Sequence, residues 1–88
     1  METSYNKNLK TIFKKYGKNA QEQQLIQECA ELIKAITKRD TDNFIEELAD
    51  VQCLIDQFTL IYPDLFIKIT EIKHKKAERQ IKRIKENG

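Results

Sequence analysis

Apolar residues recur at helical spacing along this chain in four runs, divided by short polar or breaking stretches. Residues 1–4 form a lead in which Thr3 or Ser4 can cap a helix. Tyr5, Leu9, Ile12, Phe13 and Tyr16 then mark a first amphipathic helix, with Gly17 as its terminator. A second helix is expected from Ala20 to Thr37, striped by Leu25, Cys29, Leu32 and Ile36 and widened by Ile26 and Ile33. Lys38–Asp42 is a polar break without Gly or Pro, and Asp42 or Asn43 can cap the next helix, with Glu46 closing a capping box. The third helix, Asn43–Ile61, is apolar round most of its circumference, as a helix covered on more than one side should be. Tyr62-Pro63-Asp64 interrupts it, and Pro63 suits the first turn of a last helix running to about Lys85.

Four acids break this pattern where they should not. Glu28 and Glu31 sit at the border of the second helix's apolar stripe, not opposite it. Glu47 and Asp50 head a line that continues through Leu54, Phe58 and Ile61, so two carboxylates occupy places otherwise given to core. Residues three apart share a helix face, and a hairpin of the two helices would bring both pairs together. Carboxylates converging among Leu, Ile and Val repel one another and resist desolvation unless a cation sits between them. Mg²⁺ suits such a set, because it takes oxygen ligands and leaves positions for water and phosphate. The competing reading is a surface network of these acids with the lysines and arginines of the last helix.

Composition narrows the class. The chain has 88 residues, 34% of them charged, with two Gly and one Pro, which reads as one all-α domain over residues 1–88. A chain of this size buries only about 60% of its unfolded surface and gains from association. The net charge of +2 is too small to make the whole chain a nucleic-acid binder, although basic residues gather at the C-terminal end. Cys29 and Cys53 have no CxxC neighbour and read as small buried thiols. No signal peptide is read and no apolar run is long enough for a membrane span, so a soluble cytoplasmic protein is expected.

Tyr16-Gly17, Ala20-Gln21, Glu28-Cys-Ala-Glu31-Leu and Glu47-Leu-Ala-Asp50-Val together resemble the MazG-like branch of the all-α nucleoside triphosphate pyrophosphatases. The resemblance runs from about residue 9 to 85. It implies a four-helix chain whose bundles are completed by a partner subunit, as a homo-dimer or homo-tetramer. It also implies Mg²⁺, with Mn²⁺ as a substitute, held by Glu28, Glu31, Glu47 and Asp50, which are then both the metal and the catalytic residues. The activity implied is hydrolysis of nucleoside triphosphates, often deoxy forms, between the α and β phosphates. The basic last helix is similar to the family's, and Lys73, Lys76 and Arg79 are its candidates for holding substrate phosphate. Two positions depart from the family pattern: Gln27 stands where many relatives have an acid, and Gln24 where many have a lysine.

The same residues exclude other chemistries. A lone His74 rules out a Ser-His-Asp set, no glycine-rich phosphate loop is present, and no Glu-x-x-His serves a di-iron bundle. The alternative to an enzyme is a non-catalytic helical dimer that binds nucleotides or nucleic acid through its basic helix. Glu71, Glu78 and Glu86 interrupt that basic run and weigh against nucleic acid.

Overall fold

Thr3 opens the first helix, its hydroxyl accepting from the backbone N–H of Asn6 at 3.1 Å. The computed structural model describes residues 2–87 and contains three helices, with no strand among the described residues. They are α1 (Ser4–Thr37), α2 (Thr41–Ile61) and α3 (Pro63–Asn87). Gly17, expected as a terminator, instead lies inside α1 with φ 85° and ψ 169°. The two helices expected on either side of it are therefore two runs of one element, meeting at a bend, and the expected four helices become three. Only glycine adopts this backbone region without strain. A Cβ at Gly17 would meet no atom within 4 Å, so the penalty of Gly17→Ala is purely conformational. That substitution should lower stability by about 1–3 kcal/mol. A thermal melt checks it, and an unchanged midpoint would mean that Gly17 is not held in this geometry.

The turn between α1 and α2 is tighter than its sequence suggested. Arg39 takes φ 54°, the left-handed conformation usually left to glycine. Its N–H reaches Ile36 O at 3.2 Å, and the N–H of Asp40 reaches Ala35 O at 3.0 Å, satisfying the last carbonyls of α1. The chain thus reverses early, and Asp40 caps α2 in place of the expected Asp42 or Asn43. Its Oδ1 accepts from the Asn43 backbone N–H at 3.2 Å and its Oδ2 from the Asn43 amide at 2.9 Å.

α1 and α2 pack together and α3 packs on α2; only the first turns of α3 come near α1, Leu65 and Lys68 lining a hollow with Lys18 and Glu22. The N-terminal run of α1 is fastened to the far end of α2. Phe13 meets Phe58 and Tyr62 edge-on, with centroids 5.9 Å away in each case. Tyr5 donates to Asp56 Oδ2 at 2.8 Å, and burial with that bond pushes its phenol upward. The core is small: Leu9, Ala35 and Leu54 are its buried apolar residues, and Gln21 and Gln57 are buried beside them. Gln57 Oε1 has no hydrogen-bond partner although the residue is only 2% exposed.

Much of the apolar pattern stays uncovered. Ile45, Leu48 and Ile55 of α2 are exposed, as are Ile26 and Ile33 of α1, and α3 buries no residue at all. α2 is apolar on more sides than one chain covers. Cys29 is exposed, against expectation, and Cys53 half-buried, and both thiols are free. No helix among the described residues is long and apolar enough to cross a membrane.

Candidate metal centre

The tight Arg39–Asp40 reversal sets the second run of α1 beside α2 and makes the acids meet. Glu28 of α1 and Glu47 and Asp50 of α2 each place a carboxylate oxygen within 4.8 Å of the other two. Glu31, one helical turn beyond Glu28, stands at the edge of this group. Its charge still acts on Glu47, and its Oε1 lies 3.4 Å from Lys34 Nζ. The sequence expectation of four acids around one point thus becomes three acids with a fourth alongside.

Electrostatics shows how strained the group is without a cation. Glu47 Oε2 is shut off from water and has no hydrogen-bond donor. Glu47 is pushed up to about 7, first through a hydrogen bond with Glu28 and then by burial and the charges of Glu28, Asp50 and Glu31. The crowding of Glu47 by Glu28 and its neighbours therefore favours the protonated form of Glu47 in the folded protein. Asp50 is also raised, by burial first, then by Glu28 and the charge of Glu46. Glu28 keeps one protein donor, Gln24 Nε2 at 2.8 Å from its Oε1. The Gln24 that departs from the family's lysine is thus hydrogen-bonded to the cluster.

No lysine or arginine neutralises these three acids. The ion pairs among the described residues are Lys10–Glu2, Lys34–Glu31 and Lys82–Glu86. Lys73, Lys76 and Arg79 are exposed on α3, beyond the turn of residues 65–68 that lines a hollow with α1, and form no ion pair with the acids among the described residues. The surface network with the last helix therefore does not form within the chain. The cations that do lie close are Lys34 and Lys38 at the end of α1, which line a polar pocket of about 150 Å³ together with Glu31 and Glu47. Sequence reasoning looked to the richer basic run and missed them, although Lys34, three residues after Glu31, shares its helix face. A larger apolar hollow of about 360 Å³ near Ala35, Ile36 and Phe44 contains none of the four acids.

The donor set suits a hard divalent cation. Ligands about Mg²⁺ sit at roughly 2.1 Å, which places opposite oxygens about 4.2 Å apart. Neighbouring ligands of an octahedral set lie about 3.0 Å apart, so three oxygens within 4.8 Å of one another must draw closer by about 1–2 Å, within reach of side-chain rotation, to share one ion. Glu47 Oε2, buried and without a donor, is the kind of atom a cation satisfies.

Helices joined by a cluster of unneutralised carboxylates define the class: an all-α protein with a carboxylate-rich candidate metal site. A family model described as the MazG nucleotide pyrophosphohydrolase domain matches residues 16–86, and the chain belongs to that family. The match begins next to the Gly17 bend and takes in the rest of α1, all of α2 and nearly all of α3. No curated protein and no solved structure matches the chain.

Proposed function

We propose that this protein is a Mg²⁺-dependent nucleoside triphosphate pyrophosphohydrolase, cleaving between the α and β phosphates to release a monophosphate and pyrophosphate. The observation that carries this reading is the meeting of Glu28, Glu47 and Asp50 around a buried carboxylate oxygen with no donor. These three residues hold the divalent ion, for which Mn²⁺ is a workable substitute. When bound, it polarises phosphoryl oxygens and offsets their charge. Glu31, outside the three-acid group but acting on Glu47 through its charge, is the candidate to complete the coordination or to take a proton from the attacking water.

The uncovered apolar faces of α1, α2 and α3 support a homo-dimer, or a dimer of dimers, in which a second copy completes the bundle. In that assembly Lys73, Lys76 and Arg79 of the second copy supply positive charge over the phosphates, which their own chain cannot do. Two unpaired thiols and a nucleotide substrate suit the cytoplasm.

A panel of standard and modified nucleoside triphosphates, assayed for pyrophosphate and monophosphate with Mg²⁺ or Mn²⁺, tests the reading. At least one member should turn over with metal and none with chelator. The active species should sediment at twice the 10.4 kDa chain mass or more. Tight nucleotide binding without product would make the protein a binding module, and an active monomer would remove the second copy from the site.

A further inference from the structure

We propose that Lys34 and Lys38 form a grip for the β and γ phosphates, seated in the polar pocket between the end of α1 and the start of α2. The inference rests on the pyrophosphohydrolase reading above and extends it to the direction in which the substrate lies.

The pocket shares Glu31 and Glu47 with the acid cluster, so anything held there borders the candidate metal. Its volume is about 150 Å³. It is polar and smaller than the apolar hollow of about 360 Å³ nearby, a setting that suits phosphoryl oxygens better than a nucleoside. Lys34 lies in the last turn of α1 and Lys38 is its C-cap residue, whose N–H reaches Lys34 O at 3.0 Å, so the two stand one turn apart at the same helix end. Lys34 touches only Glu31, at a loose 3.4 Å, and both side chains are largely exposed. An exposed pair of this kind holds weakly, so the ammonium is free to turn to a phosphate. Lys38 has no ion-pair partner among the described residues.

The remaining acid at the pocket, Asp40, is occupied. Both of its oxygens accept from Asn43, one from the backbone and one from the side-chain amide. It therefore serves as the cap of α2 and presents less bare charge to an incoming anion than a free carboxylate would. Two ammonium groups remain as the donors suited to a diphosphate. They are the cations that line this pocket together with Glu31 and Glu47.

This fixes an orientation. The β and γ phosphates point to the Arg39–Asp40 turn, the α phosphorus lies by Glu28, Glu47 and Asp50, and the nucleoside extends toward the Gly17 bend. Water attacks the α phosphorus and its proton passes to a carboxylate. The bond to the bridging oxygen breaks, and its electron pair leaves with pyrophosphate. Lys34 and Lys38 stabilise that charge as it develops.

The test is calorimetric titration of the full-length protein in Mg²⁺, with pyrophosphate and separately with a nucleoside monophosphate. The variants are Lys34→Gln, Lys38→Gln, the double variant and Lys34→Arg, with Lys14→Gln on the N-terminal run as control. Each single Gln variant should weaken pyrophosphate about tenfold, the size of one lost charge-assisted hydrogen bond. Lys34→Arg should recover most of the loss, and monophosphate affinity should stay within about twofold throughout. A double variant that binds pyrophosphate like the parent overturns the grip, as does equal weakening of both ligands or a parent that binds no pyrophosphate. The binding readout needs no turnover. A parent that binds pyrophosphate through these lysines yet hydrolyses nothing defeats the pyrophosphohydrolase reading and leaves the grip standing. An active parent with unaffected variants defeats the grip alone.

Discussion

Glu47→Gln and Asp50→Asn are each expected to lower nucleoside triphosphate turnover by about a thousandfold, while the metal-free variants melt no lower than the parent. Loss of activity on that order is what removal of a single charge-stabilising group produces in a preorganised site. The stability half comes from the cluster itself. Three carboxylate oxygens lie within 4.8 Å of one another, and Glu47 is raised toward 7 by Glu28, burial and its neighbours' charges. Replacing one acid by its amide removes like-charge repulsion and supplies a donor to Glu28. A structural network would behave in the opposite way, because loss of a member would weaken the fold and leave catalysis elsewhere. Steady-state pyrophosphate release and thermal melts in chelator measure the two halves. Turnover within tenfold of the parent in both variants would remove these acids from the reaction.

The helical spans and the meeting acids were legible because both are periodic. Helix spacing places Glu28 with Glu31, and Glu47 with Asp50, on single faces whatever the tertiary context. Details set by single backbone conformations were not. Gly17 reads equally as a stop or a bend, and only the packing of Phe13 on Phe58 and Tyr62 makes it a bend. The cap at Asp40 depends on Arg39 entering the left-handed region, which a non-glycine residue does not advertise. Gln21 and Gln57 are polar by letter yet buried, because neighbours decide burial at a helix crossing. Cys29 lies on the expected apolar stripe and is still exposed, since that stripe is wider than one chain can cover.

The same shortage of partners explains where the site is incomplete. Short-range geometry is enough to assemble Glu28, Glu47 and Asp50, because α1 and α2 are joined by a tight turn. Lys73, Lys76 and Arg79 lie on a helix with no buried residue, past the turn of residues 65–68 where it comes near α1. Net charge differs between the two parts: α3 carries eight Lys and Arg against four Asp and Glu, whereas the residues before it carry eight against ten. The exposed Ile26, Ile33 and Ile45 of the hairpin and the exposed apolar residues of α3 are the faces that the proposed second copy would cover.

Without metal, the melting temperature should fall as pH rises from about 5 to 8, and Mg²⁺ should restore it most at the upper end. Glu47 is raised from an ordinary value of 4.5 to about 7 in the folded protein, and Asp50 moves in the same direction. Between those values the folded cluster holds a proton that the unfolded chain has released. The resulting stability is fully present below about pH 4.5 and is lost as pH passes through 7. A divalent cation competes with that proton for the same oxygens, so it binds more tightly once the proton is gone. At a concentration 100 times its dissociation constant it stabilises by about 2.7 kcal/mol. For a domain of this size that corresponds to a rise of roughly 10–20 °C in the melting temperature. Melts in chelator, Mg²⁺ and Mn²⁺ at pH 5.5 and pH 8 give the comparison. Glu47→Gln should flatten the metal-free pH slope and shrink the metal shift together, because one set of oxygens is responsible for both. A metal shift of equal size at the two pH values, or one that survives intact in Glu47→Gln, would place the cation elsewhere on the protein.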